Sequence, residues 1–263
     1  GQEPMNYGEI LNVLNLARQS GLTNGRVPQV YRGANERLTR PQSGRWEDTQ
    51  PIKTAANEAI VAAIRGGWPG NPIWAVPVGP GTNVASAILM ARAEGLDVKN
   101  RLRVMWLGSA DGGIRDGFNA MNDPWSMVVV CQSGVETWVI PEKVGARVAI
   151  DKRTEGDLYP DNPLCQYLKT ITPAVNKPLF DPSCLSAIIS MHLDKGWVKR
   201  WENVTIGGDT GVEYVPTDDE ATVHIIRDID EQAMRHDLFE TLAHRPTQLI
   251  DEPEINDPTS TRP

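Results

Sequence analysis

Cysteine is scarce in this chain: three in 263 residues, Cys131, Cys165 and Cys184, with no two at CxxC spacing. An odd count without that spacing argues against a disulfide framework or a cysteine-built zinc site, and buried thiols are the ordinary reading. Histidine is scarce as well, with four in the chain, His192, His224, His236 and His244. No apolar run approaches the roughly 18 residues that a membrane-spanning helix needs. Positive charge is in the minority: 26 Lys and Arg against 34 Asp and Glu leave a net charge of -8. Without a basic block such a chain is a poor nucleic-acid binder, because neutralising phosphates takes clustered Lys and Arg. Membrane and nucleic acid are therefore not expected partners.

What is present is ordinary globular composition, 40% hydrophobic and 23% charged, in a length that suits one large α/β domain. Ile10, Leu11, Val13, Leu14 and Ala17 recur at helical spacing within Tyr7 to Ser20, and Gly21 supplies the stop. Val27 to Tyr31 reads as a short strand closed by Gly33, and Arg40 to Thr49 as a polar loop. A helix from Pro51 to Arg65 follows, then Ile73 to Val78, a buried strand by its continuous apolar character. A glycine-rich turn, Gly79 to Asn83, leads into a helix through Ala93. Val104 to Leu107 and Thr137 to Ile140 are further strands, with a helix from Pro124 to Gln132 between them. Asn162 to Ile171 and Asp181 to Leu193 look helical, Thr222 to Ile229 alternates like a strand, and Glu231 to Ala243 is a closing helix.

Strands alternating with helices predict a mostly parallel central sheet with helices on both faces, in one domain over residues 1–244. Residues 245–263, rich in proline, acid and threonine, read as a disordered tail. Sheets of this kind bind ligands beyond the carboxyl ends of their strands. The loops that matter are then Gly79 to Asn83, Gly108 to Asn119, and those following later strands.

Three stretches carry a resemblance. The first is Val76-Pro77-Val78-Gly79-Pro80-Gly81-Thr82-Asn83-Val84-Ala85. The second is Val104 to Gly108 followed by Phe118-Asn119-Ala120-Met121-Asn122-Asp123-Pro124. The third is Leu179-Phe180-Asp181-Pro182-Ser183-Cys184. In order and approximate spacing they resemble the inosine/uridine-preferring nucleoside hydrolases, and the opening helix with the turn at Val30 to Ala34 is similar to that family's third segment. The resemblance implies a nucleoside-hydrolase-like, Rossmann-related fold and hydrolysis of ribonucleosides to base and ribose by a calcium-held water. Calcium takes six to eight oxygen ligands, so carboxylates, a carbonyl, water and a sugar diol can share it. A homodimer or homotetramer is the assembly implied.

By this resemblance Thr82 offers its backbone carbonyl to calcium and Asp181 its carboxylate, while Asn119 hydrogen-bonds the ribose. Asp111 and Asp116 fall where the family places a ribose contact, and Gln2 follows Gly1 where it has Gly-Asn. Each has a plainer reading. Thr82 and Asp181 are good helix N-caps by type, and Asn119 is a common turn residue.

Two departures follow. The family's opening cluster of the form DxDxxxDD, source of most calcium ligands and of the catalytic base, is nowhere in the 263 residues. The resemblance therefore implies that a first β-α-β unit of about 40 residues is carried elsewhere, in a preceding segment or a separate chain. Phe180 stands where better-known members carry a histidine that protonates the leaving base. Phenylalanine cannot do that, but it can stack on a purine or pack in the core. A second reading is a catalytically silent nucleoside- or sugar-binding protein on the same fold. A third, a dinucleotide enzyme suggested by Gly79-x-Gly81, lacks the third glycine and the acidic residue its fingerprint requires.

Overall fold

The computed structural model describes residues 3–21, 28–109, 117–150, 159–172, 176–207 and 213–243. In chain order the described elements are α1 (Glu3–Gln19), α2 (Ala55–Gly66), β1 (Ile73–Ala75), α3 (Thr82–Ala93), α4 (Val98–Arg101), β2 (Leu102–Leu107), α5 (Phe118–Asn122), α6 (Pro124–Gln132), β3 (Glu136–Ile140) and α7 (Glu142–Gly145). They continue with β4 (Ala149–Ile150), α8 (Pro163–Ile171), β5 (Lys177–Pro178), α9 (Phe180–His192), β6 (Val198–Gly207), β7 (Glu213–Pro216), β8 (Val223–Ile229) and α10 (Glu231–Ala243).

Local chemistry accounts for most of the boundaries. Gly21, at φ 103°, closes α1 in a left-handed conformation that is strained for residues with a Cβ. Thr54 caps α2 by accepting from Asn57 N–H at 3.2 Å, which starts that helix at Ala55 rather than at Pro51. Asp123 caps α6 and Asn162 caps α8, each with proline in the first helical turn.

The main sheet runs β1-β2-β3-β8-β6-β7. β1, β2, β3 and β8 are parallel, with Ile73 opposite Leu102 and Leu107 opposite Ile140. The expected neighbouring parallel strands are thus present, in a mostly parallel sheet with helices on both faces. β1 is shorter than expected because Pro77 has no N–H to give a ladder, although its carbonyl still accepts from Leu107 N–H at 3.2 Å. β6 and β7 form an antiparallel extension beyond β8. Its first strand includes Lys199, Arg200 and Glu202 and has no continuous apolar run to announce it.

The expected strand at 27–31 is absent from residues 28–34. Their polar backbone is engaged differently: Arg32 C=O accepts from Ala56 N–H at 3.0 Å, and Ala34 N–H donates to Asn83 Oδ1 at 2.9 Å. The loop around Trp46 includes one 3-10 turn, Trp46–Asp48, that drops the indole into the core.

β2 separates two cores. Leu102, Val104 and Trp106 point to one face, covered by α3 and α6, while Met105 and Leu107 point to the other, with Cys184 and Ala187 of α9 and Met234 of α10. All three cysteines are free and buried. Burial pushes the Cys131 thiol up to about 12 and raises Cys165 and Cys184 as well, so none is a ready nucleophile. No described helix is long and apolar enough to cross a membrane. The expected tail, 245–263, lies outside the described residues.

Candidate active site

At the carboxyl end of β1 the chain turns through Gly79-Pro80-Gly81 over the fully buried indole of Trp106, the penultimate residue of β2. Trp106 Nε1 donates to Gly79 C=O at 3.1 Å. A Cβ on Gly81 would lie 2.3 Å from Trp106 Cη2, and one on Gly108 would lie 2.5 Å from Trp106 Nε1. Both glycines are therefore needed for close approach to one ring, and the indole fixes the height of the two strand-end loops.

Thr82 follows as the first residue of α3. Gly81, not Thr82, occupies the cap position, and the threonine hydroxyl does other work: it donates to Asp123 Oδ2 at 2.6 Å. The same carboxylate accepts from Leu38 N–H and from Ser126 N–H, both at 3.0 Å. Asp123 is almost wholly buried, and these donors compensate its removal from water. Beside it, Asn83 Oδ1 takes the N–H of Ala34, and Gly33 lies so close that a Cβ there would come 2.7 Å from Asn83 Nδ2. The 33–34 turn is thereby seated against the start of α3.

Asn119, on α5, is buried. Its amide nitrogen donates to Leu107 C=O at 2.8 Å and to Val78 C=O at 3.2 Å, tying the carboxyl ends of β2 and β1 together. Thr82 and Asn119 are thus brought to the same edge of the sheet. The N-terminus of α9 reaches that edge from the opposite face. Gly145, the last residue of α7, marks the contact: a Cβ there would meet Leu107 Cδ1 at 3.1 Å and Ser183 Oγ at 3.3 Å.

Asp181 is the second residue of α9, one past Phe180, and Leu179 holds the cap position. The N-cap reading of Asp181 is therefore replaced by a place in the first turn, where a carboxylate faces the positive end of the helix dipole. The residue lies at the surface, but partial desolvation by its neighbours raises its carboxyl above the ordinary value, with the charge of Lys177 pulling the other way. Phe180 is half-buried and packs against the core around Met105 and Leu107. Gln2, Asp111 and Asp116 lie outside the described residues. Trp46 and Trp125 are core, Trp125 donating to Thr49 Oγ1 at 2.9 Å, and Trp68 is exposed. His192 ends α9 and His224 lies within β8, neither in a carboxyl-end loop.

Asp123, Asn83 and Trp106 stand within the motif stretches, but the sequence reading gave them no role. Asp-Pro before an apolar run signals a helix cap, but nothing local tells that its second oxygen serves Thr82, 41 positions away. Thr82 C=O and the Asp181 carboxylate are oxygen donors of the kind calcium takes, but they fall short of its usual six to eight. Among the described residues no three of His, Cys, Asp and Glu group closely enough to hold a metal ion.

An open, mostly parallel α/β sheet with glycine turns, a buried asparagine amide and a helix N-terminus at its carboxyl edge belongs to the doubly wound class, in which ligands bind at that edge. The family model of inosine-uridine preferring nucleoside hydrolases matches residues 8–236. The chain belongs to that family. Among solved structures it is similar to a purine-preferring ribonucleoside hydrolase from Gardnerella vaginalis, with TM-score 0.62, 16% identity, and coverage of 88% of this chain and 84% of that one. A plant nucleoside hydrolase gives TM-score 0.60 at 17% identity, covering 91% and 86%. An inosine-uridine preferring nucleoside hydrolase from Bacillus anthracis gives 0.51 at 19%, covering 80% and 78%. No curated protein sequence matches the chain.

Proposed function

We propose that this chain hydrolyses the N-glycosidic bond of ribonucleosides to free base and ribose. The observation that carries the reading is that Asn119 bridges the chain at the carboxyl ends of β1 and β2, the edge at which Thr82 begins α3, in a chain of this family. Asn119 holds a ribose hydroxyl, its own amide already braced by two backbone carbonyls. Asp181, in the first turn of α9, brings negative charge toward the oxocarbenium-like sugar of the transition state. Phe180 beside it offers a stacking face to the base.

Calcium is the metal this reading calls for; bound, it would hold the attacking water and draw the water's proton toward release. Thr82 C=O and Asp181 would be two of its ligands. The remaining oxygens would come from further carboxylates, water and the ribose diol. Asp111, Asp116 and Gln2 are proposed as further sugar contacts.

The test is release of base from inosine and from uridine by the intact protein, with added calcium and with chelator. Calcium-dependent release that Asn119→Ala reduces at least tenfold supports the proposal. Saturable nucleoside binding without any release would replace it with the silent binding protein, a reading favoured by Phe180 in place of a histidine.

A further inference from the structure

The carboxyl edge is not the site of the cleft of about 450 Å³ that opens at the other end of the sheet. Trp74, Arg103 and Glu136 are register neighbours across β1, β2 and β3 near the amino ends of β2 and β3. Trp138, two residues beyond Glu136, and Trp201 of β6 extend the floor, and Asp194, just past the end of α9, stands on the rim. The volume falls within the range usual for small-molecule sites.

This floor is preformed. Glu136 accepts from Trp138 Nε1 at 2.9 Å through one oxygen and pairs with Arg103 Nε at 2.8 Å through the other. Trp138 stacks on His224 with ring centroids 4.3 Å apart and meets Trp201 edge to face at 5.6 Å and 64°. Trp201 keeps 49% of its surface exposed, so an aromatic face is presented to solvent from a strand rather than from a loop.

The charges narrow the ligand. Arg103 is neutralised by Glu136, and Asp194 adds a further negative charge, so a phosphorylated ligand would meet net repulsion. The guanidinium of Arg103 sits 5.7 Å from the centre of the Trp74 ring, where a ligand cation would otherwise lie. The non-parallel rings of Trp138 and Trp201 leave no slot in which a flat heterocycle could be sandwiched. What remains is an uncharged ring with an apolar C–H face for the negative face of an indole and hydroxyls around its edge. Those hydroxyls can accept from the guanidinium and donate to the carboxylate.

From this geometry we propose that the amino-end cleft binds a neutral saccharide, with the Trp201 face as its platform and Arg103 and Asp194 as its polar contacts. The proposal does not depend on the chemistry at the carboxyl edge. Intrinsic tryptophan fluorescence and calorimetry on the intact protein test it, with maltose, cellobiose and N,N'-diacetylchitobiose as probes and with adenine, tetramethylammonium and inorganic phosphate as controls. At least one disaccharide should saturate. Trp201→Ala should weaken that binding by roughly three- to tenfold, the effect of losing one aromatic face. Asp194→Asn, an exposed change that leaves the core untouched, should weaken it severalfold, and Asn119→Ala should leave it unchanged. No saturation by any of the three disaccharides, undiminished binding by both cleft variants, or saturation by a control instead would each overturn it.

Discussion

Thr82 Oγ1 donates a 2.6 Å hydrogen bond to Asp123 Oδ2, and both side chains are buried. Through that carboxylate the start of α3, the start of α6 and the backbone of Leu38 are held to one point. Thr82→Val removes one donor of three and should destabilise by about 1–3 kcal/mol. Asp123→Ala strands all three donors and removes a helix cap, and should cost about 3 kcal/mol or more. Urea denaturation gives both values, and equal losses in the two variants would show that Asp123 is not the shared anchor.

Gly81→Ala tests the contact with Trp106. Gly81 sits at φ -76°, which suits any residue, so the cost comes from the 2.3 Å approach of a new Cβ to the indole and not from backbone strain. Overpacking of this kind costs about 1–3 kcal/mol. Trp106→Phe makes room, so the double variant should lose less than the sum of the singles by at least about 0.5 kcal/mol. Strict additivity would mean that the loop yields elsewhere.

Asp181→Asn separates a ligand from a structural role by its pH dependence. A carboxyl whose folded pKa lies above its unfolded one binds its proton more tightly in the folded state. Ionised Asp181 therefore subtracts stability above both values, and the deficit disappears as pH falls below the unfolded one. The amide should melt at or above the wild-type temperature at pH 7, and the advantage should shrink in acid. Nucleoside cleavage should drop at the same time, as for other functional groups held at some cost to stability. A variant melting well below wild type at pH 7, or cleaving as fast, contradicts the assignment.

Phe180→Leu keeps an apolar side chain of similar reach and removes the aromatic face. If that face stacks on the base, KM for inosine should rise by roughly three- to tenfold with little change in thermal stability. A large loss of stability with unchanged KM would make Phe180 a core residue alone, part of the packing around the cluster that includes Met105 and Leu107.

The strands from Ile73, Val104 and Thr137 were legible because a strand covered on both faces must be apolar throughout, which a linear reading detects. The helix ends were legible where one side chain serves a backbone three residues away, as Asn162 does for Cys165. The β6–β7 extension was not, since it is half solvated and its charged residues break the pattern. Thr82, Asn119 and Asp181 were visible as motif residues, yet their immediate partners were not.

The sequence by itself determined the alternation of elements, the glycines that the turns require and the motif types at the carboxyl edge, all of which rest on local sterics and solvation. Only the tertiary structure decided that Thr82 spends its hydroxyl on Asp123 instead of a helix cap, that Asn119 spans two strand ends, and that three tryptophans from different strands floor a cleft at the far edge. Each of these depends on partners distant in the chain, which meet only once the sheet has set its strand order and register.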